Sequence, residues 1–199
     1  MKLSKLAIVV IGSTIMVSCG PSNKGEDASS SDSTEMSSGD NKPEEKVMLE
    51  AKATINPASG SNMHGEMTFT DLGEGDVTFK LTVEGAEPGT HAVHLHQTGD
   101  CSAEDATSAG GHWNPSDVEH GKRAVDMKFH AGDIDNMEVG ADGKGELTMT
   151  ISGWSIGGAD STNIIDHAVI IHAKEDDFAT QPSGAAGKRV ACGVIEKAD

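Results

Sequence analysis

Strict alternation of apolar and polar side chains is the clearest regularity along this chain. Between Asp76 and Glu84, the apolar residues Val77, Phe79, Leu81 and Val83 are separated by the polar Thr78, Lys80 and Thr82. That is the period-2 pattern of a strand with one face in a core. Leu147, Met149 and Ile151 repeat it between Glu146 and Ser152. Shorter runs at 47–55, 66–71, 91–97, 167–173 and 190–195 predict further strands. Glycine-bearing turns punctuate them: Leu72-Gly73-Glu74-Gly75, Glu87-Pro88-Gly89 and Ala141-Asp142-Gly143-Lys144-Gly145. Short strands at this spacing predict an all-β antiparallel sandwich or barrel. With no tyrosine and 3% aromatic residues, its core must be built mainly from Val, Ile, Leu and Met.

The first 46 residues follow a different pattern. Met1 to Lys5 carries two lysines, and Leu6 to Val17 is an apolar run too short to span a bilayer. The run ends in Val17-Ser18-Cys19-Gly20, which looks like a lipoprotein signal covering residues 1–18, with Cys19 as the acylated residue. A plain secretory signal with an incidental cysteine is the alternative. Residues 19–46 are Ser, Gly, Asp, Glu, Asn, Lys and Pro with almost nothing apolar. Such a segment cannot bury enough surface to offset chain entropy, and it is expected to be a disordered acidic tether. The folded domain is therefore expected over 47–199.

Charge narrows the partners. The net charge is −17; the leader holds two lysines and the tether three lysines against seven acids, which leaves −15 on residues 47–199. A surface of that sign argues against nucleic acid as a partner. It is also repelled by anionic lipid, so contact with a membrane requires the anchor at Cys19. If Cys19 is acylated, Cys101 and Cys192 remain as an even pair in an oxidising compartment.

Two long segments, 98–145 and 152–189, interrupt the strand rhythm. Loops of that length inside a compact domain are functional or disordered, and these hold most of the chemistry. Six of the nine histidines lie between residues 91 and 133, and His172 follows near the C-terminus. In His91-Ala92-Val93-His94-Leu95-His96, alternation on a strand puts His94 and His96 on one face and Val93 and Leu95 on the other. The two histidine Cα atoms would then lie about 6–7 Å apart, close enough for both rings to lean onto one ion. Imidazoles gathered with a carboxylate read as ligands for a first-row metal.

The motifs occur in one order: His94-Leu95-His96, Gly110-Gly111-His112-Trp113-Asn114-Pro115, His120, His130-Ala131-Gly132-Asp133, His172-Ala173-Lys174-Glu175-Asp176 and Gly187-Lys188-Arg189-Val190-Ala191-Cys192. That order resembles the copper–zinc superoxide dismutases, specifically their bacterial secreted branch, over residues 47–199. The resemblance implies an eight-stranded Greek-key barrel and pairs Cys101 with Cys192, closing a loop of roughly 90 residues. It also implies one copper and one zinc per subunit. Copper suits an all-imidazole set, here His94, His96, His112 and His172. A closed zinc site needs four N, S or O donors, here His112, His120, His130 and Asp133. His112 belongs to both sets because a deprotonated imidazole offers two nitrogens and can bridge two cations.

The same resemblance gives Asp176 the place of a carboxylate linking His94 to His120, and Arg189 that of a cation beside the copper. By the resemblance, Ser183 is expected to narrow the other side of the channel, and His91 to brace the barrel end without binding metal. His64 and His167 match no role. The chain departs from the family between His120 and His130, where it has one residue more than the commoner spacing and lacks the usual proline. Phe129 stands where a basic residue often precedes the zinc histidine.

The implied activity is conversion of superoxide anion to dioxygen and hydrogen peroxide, with Arg189 and His112 as catalytic residues. The implied location is extracytoplasmic, lipid-anchored to a bacterial membrane on the periplasmic side or the cell surface. A homodimer is one of the oligomeric states open to such a domain. A non-catalytic metal-binding lipoprotein and a surface adhesion or scaffold barrel are the rival readings.

Overall fold

The computed structural model describes residues 48–198. The signal over 1–18, the anchor at Cys19 and the tether over 19–46 lie outside the described residues.

Ten strands form the domain: β1 (Glu50–Pro57), β2 (His64–Gly73), β3 (Asp76–Glu84), β4 (Gly89–His91), β5 (Val93–His96), β6 (Met137–Val139), β7 (Gly145–Ser152), β8 (Ala168–His172), β9 (Arg189–Val194) and β10 (Glu196–Lys197). Every strand pair is antiparallel, and the order is β4-β6-β7-β3-β2-β1-β9-β8-β5, with β10 beside β1. The two ends of that order, β4 and β5, are consecutive pieces of chain separated only by Ala92. The ladder therefore comes round upon itself and leaves little free edge. The β6–β7 hairpin sits between β3 and β4, a crossed connection of the Greek-key kind.

Counting 89–96 as one strand, and 189–197 as another, reduces the ten segments to the eight expected. The expected strand over 91–97 is nonetheless divided at Ala92. There the chain leaves β6 and joins β8, while the Ala92 N–H donates to Lys174 O at 2.8 Å and its carbonyl accepts from His172 N at 2.9 Å. The three-residue β6 lies inside the segment read as a loop over 98–145, because Met137, Glu138 and Val139 are too few to show a period.

Alternation is obeyed where it was clearest. Val77, Phe79, Leu81 and Val83 are fully buried, as are Met67 and Phe69 on β2, Ile55 on β1 and Ile151 on β7. Val93 and Leu95 point into this core, opposite to His94 and His96. The aromatic share of the core exceeds what composition suggested. Phe69, Phe79 and Trp154 form a triangle with ring centroids 6.1–6.4 Å apart. Trp154 comes from the segment read as loop and anchors it by donating from Nε1 to Ala131 O at 2.7 Å.

Cys101 and Cys192 form a disulfide that spans 91 residues. It ties the start of the β5–β6 connection to the middle of β9, two segments that meet nowhere near each other in sequence. Closing a loop of this length stabilises a fold by about 4–5 kcal/mol in the chain-entropy account. The double variant Cys101→Ser, Cys192→Ser should therefore lower the unfolding free energy by about 4 kcal/mol in urea titration. An unchanged midpoint would show that packing alone holds these segments together.

Candidate metal centre

The outer edge of β5 has no strand partner, and the long β5–β6 connection doubles back along it. Leu95 N donates to Gly132 O at 2.9 Å, Trp113 N to Leu95 O at 2.8 Å, and Gln97 N to Gly111 O at 2.9 Å. This register brings His112 opposite His96 and Asp133 opposite His94. Gly132 permits the approach, since a Cβ there would lie 2.2 Å from Leu95 O. His172 arrives from the end of β8, the strand paired with β5 on its other side.

Eight side chains converge: His94, His96, His112, His120, His130, Asp133, His172 and Asp176, all buried. Two groups of four place one donor atom each within 4.8 Å of one another. One is His94, His96, His112 and His172; the other is His112, His120, His130 and Asp133.

Outward-facing ring nitrogens are tied down. His94 Nε2 and His120 Nε2 donate to the two oxygens of Asp176 at 2.8 and 2.9 Å. His96 Nδ1 donates to Gly110 O at 2.8 Å, His172 Nδ1 to Gly187 O at 3.2 Å, and His130 Nε2 to Val118 O at 3.1 Å. Each bond fixes a tautomer and leaves the other nitrogen bare and turned inward. Four inward nitrogens of the first group, His94 Nδ1, His96 Nε2, His112 Nε2 and His172 Nε2, are buried without any hydrogen-bond partner. Orphaned buried polar atoms are rare in folded proteins, and four aimed at one place fit a cation held by imidazoles.

The second group is tighter. His112 Nδ1 lies 2.9 Å from Asp133 Oδ1, His120 Nδ1 3.0 Å from Oδ2, and His130 Nδ1 3.4 Å from Oδ1 and 3.3 Å from His112 Nδ1. The His120 contact has the length of a hydrogen bond without its direction. For a tetrahedral zinc with bonds of about 2.0–2.1 Å, neighbouring donors lie about 3.4 Å apart. The donor chemistry and the spacing fit that ion. His112 is the one histidine of the cluster with neither nitrogen tied to a carbonyl or to Asp176; each nitrogen belongs to one group.

Electrostatics agrees with the geometry. Burial disfavours the charged ring and lowers His96 to about 2, His172 to about 3 and His112 to about 4; neighbouring histidines add to each shift, and Asp133 partly restores His112. Burial acts on His120 in the same sense, but the Asp133 and Asp176 carboxylates beside it outweigh it and raise the ring to about 9. Burial pushes the Asp133 carboxyl upward, and the His112, His120 and His130 rings beside it overcome that, holding the group far below the carboxylate range. Asp176 is likewise held low by His120 and His94.

A cleft of about 730 Å³ opens onto His96, His112 and His172, with Arg189 and Ser183 in its wall. Arg189 Nη1 donates to Ala106 O and Nη2 to Gly110 O, both at 2.7 Å. Gly110 O also receives His96 Nδ1, so one carbonyl registers the arginine against a histidine of the first group. The disulfide holds the same loop to β9. His91 stands apart from the cluster and braces two carbonyls, those of His172 and Glu87, at 2.7 and 2.8 Å. His167 stacks on Trp113 with centroids 4.5 Å apart, and His64 is exposed.

The 121–129 segment turns into solvent over 124–128, closed by Lys122 O accepting from Val125 N and Asp126 N. His120 keeps its place because Gln181 grips its peptide from both sides, Oε1 accepting from His120 N and Nε2 donating to His120 O, each at 2.8 Å. Three further residues support the cluster. Asn136 pairs with both backbone groups of Asp176 at 2.8 and 2.9 Å. Gly184 packs where a Cβ would fall 1.7 Å from Asp176 Oδ1. Arg123 lies against the 130–133 turn. None of these carries a sequence signal, because Asn136 and Arg123 act on main chain and Gly184 on the space beside a carboxylate.

Two comparisons bear on this geometry. The sequence profile of the family described as copper/zinc superoxide dismutase matches residues 63–195. A crystal structure of a double mutant of a SOD-like protein from Bacillus subtilis is 35% identical, with a TM-score of 0.65, covering 72% of this chain and 95% of that one.

The buried histidines predict a pH dependence for the metal-free protein. His96, His112 and His172 take up protons in the unfolded chain below their ordinary value of 6.5 but resist them when folded. Folded stability is thus intact above that pH and is lost as pH falls toward 4. His120 works oppositely: its contribution is complete below 6.5 and is lost as pH rises through about 9. Denaturant midpoints of the metal-free protein should pass through a maximum near neutrality and fall steadily between pH 6.5 and 4.5. A flat acid limb would contradict the burial of three neutral rings.

Proposed function

Because the chain belongs to the copper/zinc superoxide dismutase family, an oxidoreductase family, we propose that it disproportionates superoxide at a copper–zinc centre bridged by His112. In this reading His94, His96, His112 and His172 hold copper, and His112, His120, His130 and Asp133 hold zinc. The observation that carries it is the position of His112, whose two nitrogens are each given to a different ligand group while every neighbouring imidazole has one nitrogen tied back.

Copper bound there would supply one-electron chemistry, accepting an electron from one superoxide and returning it to a second, with zinc as the fixed partner. The protein's own residues do the rest. Arg189, pinned by two carbonyls, offers a permanent cation in the cleft wall to dock and orient a small anion. His112 stays anchored through Nδ1 and can take and release a proton at Nε2, which has no hydrogen-bond partner of its own. Two superoxide anions and two protons give one dioxygen and one hydrogen peroxide; Nε2 delivers one proton and solvent in the cleft the other. Local positive charge must outweigh a chain of net charge −17. Superoxide dismutases are themselves a standard illustration of such steering.

The N-terminal sequence supports an extracytoplasmic, lipid-anchored location. Superoxide is charged and crosses bilayers poorly, so a tethered enzyme would act on superoxide arising on its own side of the membrane.

Two experiments test this reading. Arg189→Ala in the metal-loaded protein should slow superoxide consumption by about 10- to 100-fold, the scale of removing one charged donor to an anionic centre, with metal content unchanged by elemental analysis. Equal turnover would remove the role given to Arg189, and absence of bound metal in the parent protein would favour a scaffold barrel. For the anchor, Cys19→Ser should move the protein from the detergent phase to the aqueous phase in phase partitioning. Partitioning identical to that of the parent chain would leave only a plain export signal.

A further inference from the structure

The turn His130-Ala131-Gly132-Asp133 carries two of the four donors assigned to zinc, and its own internal bonds are few. Asp133 N donates to His130 O at 3.1 Å, and His130 N to Asp133 Oδ2 at 2.7 Å. Its carbonyls are acceptors that need donors, and Gly132 O takes Leu95 N from β5.

One side chain meets three of them. Arg123 donates from Nε to Asp133 O at 3.0 Å, and from Nη2 to Ala131 O at 2.6 Å and His130 O at 3.3 Å. Its guanidinium carbon sits 4.6 Å from the Phe129 ring centroid and 5.8 Å from that of Trp154. Trp154 Nε1 donates to the same Ala131 carbonyl at 2.7 Å. The fork thus meets two rings and the turn. Among the described residues no carboxylate lies within ion-pair distance of it, so its bonds go to main chain alone. Burial lowers its pKa, and the charges of Asp133 and Asp135 act against that.

We infer that Arg123 is a positioning residue of the zinc subsite: its guanidinium clamps the carbonyls of residues 130, 131 and 133 and so holds the His130 and Asp133 donors in register before any ion arrives. The inference rests on the reading that His112, His120, His130 and Asp133 hold zinc. The physical reason is division of labour along one short loop. Gln181 fixes the peptide at its start, His120, and Arg123, from within the loop, fixes the turn at its end. Between them the chain is free to bulge into solvent, where Val125 and Met127 are 72% and 99% exposed. A lysine cannot replace the clamp, because an ammonium on a flexible stem lacks the planar fork that reaches several fixed acceptors at once. Charge alone would act in the opposite sense, since a cation close to the site repels zinc.

Zinc affinity separates these possibilities. It is measured on the purified protein by competition with a chromophoric chelator, with copper affinity and thermal melting recorded in parallel. Arg123→Ala and Arg123→Lys should both weaken zinc by about 10- to 100-fold, the scale seen when a ligand loses its outer support. Copper affinity should stay within about twofold of wild type. Phe129→Leu, which removes only the stacking ring, should weaken zinc by a few-fold and keeps the test open if Arg123→Ala does not fold. Zinc binding unchanged in Arg123→Lys, or strengthened in Arg123→Ala, would overturn the clamp, as would a lower melting temperature with wild-type zinc affinity. A parent protein that holds no zinc against the chelator would overturn the zinc reading itself and the inference with it.

Discussion

Unpaired nitrogen lone pairs are the constraint on which the rest of this structure depends. A protein interior ordinarily satisfies its polar atoms, yet here five imidazole nitrogens, on His94, His96, His112, His120 and His172, are buried with no hydrogen-bond partner. Bare nitrogens facing one another repel, and burial denies His96, His112 and His172 an escape by protonation. Something must compel the arrangement. The compulsion comes from behind: each outward nitrogen except those of His112 is fastened to a carbonyl or to Asp176. The protein thus meets the unfavourable part of assembling the ligands during folding, and an arriving cation finds donors already aimed.

The barrel is what makes this possible. Its strand order returns upon itself through Ala92, which places β4 and β5 at opposite ends of the ladder and leaves one side of β5 open. The connection that follows fills the open side, using β5 as the ruler against which His112 and Asp133 are registered. Asp176, itself held by Asn136 and hemmed in by Gly184, then joins the two ligand groups across the loops. The disulfide and Arg189 complete the wall by tying the 101–110 loop to β9. The site is therefore registered on the nearly closed sheet through backbone carbonyls.

Much of this was legible in the sequence, for definite reasons. Val77 to Val83 alternate because one face of β3 meets the core and the other meets solvent. His94 and His96 could be placed on a common face by the same period, with Val93 and Leu95 filling the core behind them. The order of the histidine motifs carried the family, since ligand types and spacings survive wherever the chemistry does. What escaped were contacts without periodicity. The split at Ala92 depends on hydrogen bonds to Lys174 and His172, some 80 residues away. Strand β6 is too short to show a pattern. Trp154 read as a loop residue and proved to be the keystone of an aromatic core. Gln181, Asn136 and Arg123 hold backbone rather than side chains, which leaves no pattern in the sequence. The extra residue between His120 and His130 was visible, but the Gln181 contact that holds the His120 peptide from 61 residues away was not.

The central claim is that one imidazole joins two metal sites. Reconstituting the protein with copper(II) in the all-histidine set and cobalt(II) in the place of zinc gives the most direct test, because a shared imidazolate transmits magnetic coupling between two paramagnetic ions. The copper electron paramagnetic resonance signal should be present with zinc and strongly suppressed with cobalt. A full, unperturbed copper signal in the presence of bound cobalt would mean that His112 does not connect the two sites.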